Sequence, residues 1–89
     1  MSSANSVSLD FEDQVSLRLL LGSEDSNLRN LAKAARVRVA SRGGRITLSG
    51  DPSQVGLAAE ALRQLYELIR AGYPVYEVDV DFAIRILSD

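Results

Sequence analysis

Between Val7 and Phe11 the chain alternates: Val7, Leu9 and Phe11 fall on one side, Ser8 and Asp10 on the other. A period of two predicts a half-buried strand. The next stretch, EDQVSLRLLLG, is ambiguous. Val15, Leu17 and Leu19 alternate as a strand would, yet Glu12 and Asp13 offer an N-cap signal and Gly22 a stop. Leucine and arginine favour helix, so residues 13–21 are assigned to one. Over residues 26–36 the period changes to that of a helix. Leu28, Leu31, Ala32 and Ala35 build one apolar stripe, while Arg29, Lys33 and Arg36 build a basic one. Asp25 or Ser26 is placed to cap its start.

RVRVASRGGRITLSG then predicts a hairpin. Val37, Val39, Ile46 and Leu48 turn inward, Arg38, Arg45 and Thr47 outward, and Gly43-Gly44 suits a tight turn. A long helix follows, with Asp51 as N-cap, Pro52 in its first position and Gly72 past its end. Its apolar face runs through Val55, Ala58, Ala59, Leu62, Leu65, Tyr66 and Ile69. Gly56 inside it costs about 1 kcal/mol against alanine, and close packing there is the expected compensation. The tail 73–89 stays open between a strand and a short helix capped by Asp79. Its apolar side chains (Val75, Tyr76, Val78, Phe82, Ile84, Ile86) suit packing on this domain or on another. Residues 1–6 carry no pattern and are expected to be disordered.

Composition adds little to this outline. Eighty-nine residues, 46% apolar and 25% charged, make one small domain. The N-terminus has neither a basic nor an apolar signal region, and no apolar run approaches the ~20 residues of a membrane span. With no cysteine a disulfide framework is ruled out, and the cytoplasm is the expected location. The absence of histidine as well removes Cys/His zinc sites and Ser-His or Cys-His nucleophile pairs. Glu77, Asp79 and Asp81 would share one face of a strand, but they lack the glycine and glutamate of a calcium loop. A solvated acidic edge or a helix cap is the better account. No catalytic residue and no metal ligand is assigned.

Charge changes the picture more. Residues 26–50 hold six basic side chains (Arg29, Lys33, Arg36, Arg38, Arg42 and Arg45) and no acid. The remaining residues hold four basic and twelve acidic ones, so +6 stands against −8. Such a block is either a solvated surface or the footprint of a polyanion site. Of the five aromatics, none lies in the block, so base stacking has little support.

Strand, helix, glycine loop, helix, hairpin, long helix is an α+β order, β-α-α-β-β-α, that resembles the type I KH domain: a three-stranded sheet packed against helices. Here a C-terminal extra segment is added. KH domains clamp about four nucleotides with a G-x-x-G loop between their first two helices. In GSEDSNLRNLAKAARVRV that loop would be Gly22, Ser23, Glu24 and Asp25, with the second glycine replaced and acids introduced. More narrowly, the opening LDF strand, the leucine-rich segment ending LLG, SEDSNLRNLAKAARVRV, GGRITLSGDPSQV and LRQLYELIRAGY resemble the N-terminal domain of PhoH-like proteins over residues 7–87. The resemblance implies a KH-like domain at 7–72 and a segment 73–89 leading toward an absent ATPase domain. That domain would hold ATP and Mg²⁺ and work on RNA, with endoribonuclease or ribosome-associated partners. This chain has no G-x-x-x-x-G-K-[ST] and is not expected to be an enzyme or to bind a cofactor itself.

The acidic loop and the basic stripe pull in opposite directions. A carboxylate about 5 Å from a phosphate costs on the order of 3 kcal/mol at an effective dielectric of about 20. Asp25 would also occupy, as a cap, the helix amides a phosphate needs. The basic stripe favours weak, salt-sensitive contacts with single-stranded RNA. The alternative is a KH-like fold that serves protein interaction or homo-oligomerisation without RNA.

Overall fold

A computed structural model describes residues 5–88 of the chain. Seven main elements follow one another: β1 (Asn5–Asp10), α1 (Gln14–Leu21), α2 (Ser26–Ala35), β2 (Arg38–Arg42), β3 (Arg45–Gly50), α3 (Pro52–Arg70) and α4 (Glu77–Ser88). A single 3₁₀ turn, Ser23–Asp25, joins α1 to α2. The first six elements reproduce the expected KH-like β-α-α-β-β-α order. Strand β1 begins at Asn5, two residues before the alternation predicts, and the rest of the expected disordered stretch, 1–4, lies outside the described residues.

The three strands are antiparallel in the order β1-β3-β2, with β3 in the middle. Period-two alternation gives this sheet two different faces. Inward, Leu9, Ile46 and Leu48 are buried beneath the helices, with Val7 and Val39 packed at the margin of the core. Val39 is only half-buried because β2 is an edge strand. The other face carries three cross-strand rows: Arg38–Ser49–Ser6, Ala40–Thr47–Ser8 and Arg42–Arg45–Asp10. Among the described residues no helix covers that side.

Helix α3 lies over β1 and β3, and α1 and α2 pack on α3. Its buried stripe is the one predicted, extended by Ala61. Two of the predicted caps form as chemistry requires. Asp13 and Asp51 sit in extended backbone, and their carboxylates accept first-turn amides from Val15 and Ser16, and from Ser53. Tyr66 joins the α1 cap to α3: its hydroxyl accepts the Asp13 N–H at 3.1 Å, and its ring packs on Phe11 at 4.6 Å.

The hairpin turn is the two-residue form, with Gly43 at φ 59° and only the first position left-handed, the type II′ pattern. Gly44 is needed for a different reason. Its carbonyl accepts the Phe11 N–H at 2.7 Å, and a Cβ there would stand 2.8 Å from the Phe11 oxygen. Gly56, by contrast, has open space where a Cβ would go. The expected close packing at that position is absent.

The tail is a helix, not a strand. Helix α4 begins at Glu77, and Asp79 sits in its first turn, where its carboxylate reaches back to the Tyr76 N–H at 2.8 Å. Val80 and Ile84 are buried against α2 and α3. At about 100° per residue, spacing two does not keep Glu77, Asp79 and Asp81 on one face, and the strand arrangement of these carboxylates is overturned.

Candidate nucleic-acid interface

The loop at the KH clamp position is built from backbone that side chains rarely adopt. Gly22 is at φ 79°, Glu24 at 52° and Asp25 at 60°. Glycine is favoured at position 22: its φ strains any other residue, and a Cβ would crowd the Asn27 amide group and the Ser26 Oγ at 3.0 Å. Glu24 and Asp25 hold left-handed conformations at a cost on the order of 1–2 kcal/mol each. Arg29 steadies this backbone, its Nη1 donating to the Glu24 carbonyl.

The expected self-cap does not form. Asp25 occupies the N-cap position of α2, but at φ 60° and ψ 27° it makes no side-chain cap hydrogen bond. Capping carboxylates need the extended backbone seen at Asp13 and Asp51. Left-handed backbone points the side chain elsewhere. Ser26 does not substitute, since it is already the first residue of the helix. Among the described residues no side chain therefore caps the first turn of α2, whose Ser26 N–H is taken by the Ser23 carbonyl, although the negative charges remain beside it.

Helix α2 is fixed by two asparagines that the apolar pattern did not single out. Asn27 is 6% exposed, and its Nδ2 donates to the Leu20 carbonyl at 3.1 Å and toward that of Val75 at 3.5 Å. Asn30 donates to the Glu77 carbonyl and to Asp81 Oδ1 at 3.2 and 3.0 Å. The only sequence signal was a polar residue, Asn27, immediately beside the apolar stripe. Its donors hold the end of α1 and the tail together.

The six basic residues do not form one surface. Arg29 and Lys33 stand exposed on α2. With Ser26, Asn30 and Glu77 they line a shallow depression of about 340 Å³, so the tail helix brings an acid into the basic face. Arg36 ends α2 in left-handed backbone, φ 59°, where the chain turns into β2. Arg38, Arg42 and Arg45 then project from the open face of the sheet, away from the helical layer. Period two in β2 and β3, set against 3.6 in α2, accounts for the split. Arg45 is partly engaged: its Nε lies 2.8 Å from Asp10 Oδ1, with both side chains more than half exposed. That hydrogen bond, with the attraction of the carboxylate, raises the arginine pKa.

A second exposed feature lies on α4. Val78, Phe82 and Ile86, spaced by four, are 69%, 59% and 53% exposed, on the side roughly opposite Val80 and Ile84. The tail residues thus divide between the two roles expected of them: Ile84 packs on this domain, and Tyr76, Val78, Phe82 and Ile86 face solvent. Among the described residues no group of three or more carboxylates is placed to hold a metal ion, and no helix is long and apolar enough to cross a membrane.

Comparison with known proteins places this geometry. No model of a protein family matches the chain. A PhoH-like protein of Mycobacterium leprae is 38% identical over 68 residues, 76% of this chain and 20% of the relative. One from Bacillus subtilis is 36% identical over 67 residues, 75% of this chain and 21% of the relative. The chain spans about one fifth of the length of these relatives and resembles their N-terminal part. A crystal structure of a protein of unknown function from Aeropyrum pernix superposes with a TM-score of 0.73 at 16% identity, covering 99% of this chain and 49% of the other. That likeness shows the fold.

Proposed function

We propose, taking the chain as a KH-like domain of the PhoH-like type, that it is an accessory RNA-binding module. It grips the backbone of single-stranded RNA weakly, through Arg29, Lys33 and Arg36. The observation carrying this reading is the exposed basic face of α2 beside a helix start that no side chain caps. Amides at such a terminus attract phosphate, and the neighbouring cations add salt-sensitive attraction. Glu24, Asp25 and Glu77 oppose it and keep the affinity low. Chemistry on the RNA falls to the rest of a PhoH-like protein: an ATPase domain that would hold ATP and Mg²⁺, acting in the cytoplasm with endoribonuclease or ribosome-associated partners. This chain contributes neither a P-loop nor a catalytic group to it.

An NMR titration with a short single-stranded RNA at two salt concentrations tests the proposal. The expected result is amide shifts clustered at residues 22–37 at low salt, fading at high salt and lost in Arg29→Glu/Arg36→Glu. No shifts at low salt, or shifts indifferent to that double substitution, would overturn it.

The apolar stripe of α4 favours a second reading, in which this KH-like fold docks on protein. Its occupant would be the remainder of a PhoH-like chain. A helix of twelve residues, about 18 Å long, offers far less than the ~800 Å² per partner of a free-standing interface. It is adequate where the two parts are tethered. Sedimentation should then find this chain monomeric at every concentration. A dimer abolished by Phe82→Asp would assign the stripe to homo-oligomerisation instead.

A further inference from the structure

The open face of the sheet is a separate surface that the KH-type grip leaves unused. We infer that it is a second nucleic-acid site, one that takes the backbone of an RNA duplex. Three features of the face support this. First, it is low: its middle row is made of alanine and hydroxyl side chains, with Ser8 Oγ and Thr47 Oγ1 3.1 Å apart. Among the described residues no large side chain stands in that middle row to keep a broad partner away.

Second, its cations stand at both ends. Arg38 and Arg42 are four residues apart on β2, about 13 Å at 3.3 Å per residue, and Arg45 pairs across from Arg42. The one acid in these three rows, Asp10, is engaged with Arg45. Adjacent Arg42 and Arg45 repel one another, and a phosphate between them would relieve that repulsion.

Third, no aromatic side chain occupies any of the three cross-strand rows. A sheet that reads single-stranded bases needs rings to stack on, so the contact is with sugar and phosphate. A-form RNA presents a wide, shallow minor groove edged with 2′-hydroxyls. Hydroxyl groups in the middle of the face suit the 2′-hydroxyls, and arginines at the ends suit the phosphates on either side. B-form DNA lacks the 2′-hydroxyl and should bind less well.

This site stands or falls apart from the α2 grip, because the two use different residues on different faces. The test titrates a short blunt RNA duplex into the chain, following amide shifts and affinity. Shifts should map to β2, β3 and the outward residues of β1. With two phosphate contacts, from Arg38 and Arg42, affinity should fall about twelvefold between about 50 mM and about 200 mM salt. Arg38→Glu/Arg42→Glu should weaken duplex binding at least about tenfold, by more than Arg29→Glu/Arg36→Glu does, and flatten the salt dependence. Ala40→Glu, also on the exposed edge strand, checks the same face with one substitution and should weaken binding as well; circular dichroism verifies that each variant is folded. The inference is overturned if the duplex gives no shifts, if its shifts fall on α2, if folded Arg38→Glu/Arg42→Glu and Ala40→Glu proteins bind as before, or if a DNA duplex binds equally well.

Discussion

The Arg29 guanidinium turns back along α2 and donates through Nη1 to the carbonyl oxygen of Glu24. The first cation of the basic stripe thus also supports the loop it follows, and the two halves of GSEDSNLRNLAKAARVRV are mechanically joined. The loop's acids do not act as caps. What they contribute is charge and left-handed backbone.

Restoring a glycine at the end of the loop separates those two effects. Asp25→Gly relieves the backbone at φ 60° but adds glycine's entropy to the unfolded chain, so stability should change by less than about 1 kcal/mol. Loss of the carboxylate should tighten single-stranded RNA binding about ten- to a hundredfold, the scale of a charge-phosphate repulsion at about 5 Å. Titration of the variant against the parent measures it, and unchanged affinity would place the RNA away from the loop.

Two glycines should respond in opposite senses to alanine. Gly56 is exposed in mid-helix with room for a Cβ, so Gly56→Ala should stabilise by about 1 kcal/mol. Gly22 combines φ 79° with contacts at 3.0 Å to Asn27 and Ser26, and Gly22→Ala should destabilise by about 1–3 kcal/mol. Urea unfolding resolves both.

Arg36 allows stability and binding to be moved apart. It ends α2 at φ 59° and ψ 47°, the conformation for which glycine is preferred. Arg36→Gly should stabilise by on the order of 1 kcal/mol and weaken RNA binding at the same time. A thermal melt paired with a titration would show the two changes, and a variant that is more stable yet binds equally well would remove Arg36 from the interface.

The two faces of α4 should also differ. Ile84 is 6% exposed, and Ile84→Ala should cost about 2–5 kcal/mol. Phe82→Ser, on the outward face, should stay within about 0.5 kcal/mol. Equal costs, measured by denaturant midpoints, would mean that α4 is seated differently.

Acid stability should depend on Asp13. Hydrogen bonds from the Ser16 hydroxyl and from the Ser16 and Val15 amides, with the charge of Arg70, lower its pKa below the ordinary value of 3.8. A carboxyl whose folded pKa is depressed stabilises the fold above the unfolded value and loses that contribution as pH falls through the folded one. Asp13→Asn should be less stable than the parent at neutral pH, and the gap should close below about pH 3.8. A gap that persists undiminished into strong acid would show that ionisation of Asp13 is not what stabilises the cap.

The sequence by itself determined the elements whose causes are local. Period two around Gly43-Gly44 specified the hairpin. Asp13 and Asp51 specified helix starts because a short carboxylate in extended backbone has the next amides within reach. The order of these elements carried the KH-like architecture. Tertiary structure decided whatever depends on where one element meets another. The tail's pattern admitted both strand and helix, and burial of Val80 and Ile84 against α2 and α3 accompanies the helix. Asp25 read as a cap, but the close approach of Gly22 to Asn27 and the turn into α2 place it in left-handed backbone. The six basic residues are consecutive in charge along the chain, yet a helix and an outward-facing hairpin send them to different faces. Charge adjacency in sequence does not fix adjacency in space; the packing of α2 and the sheet around one core does.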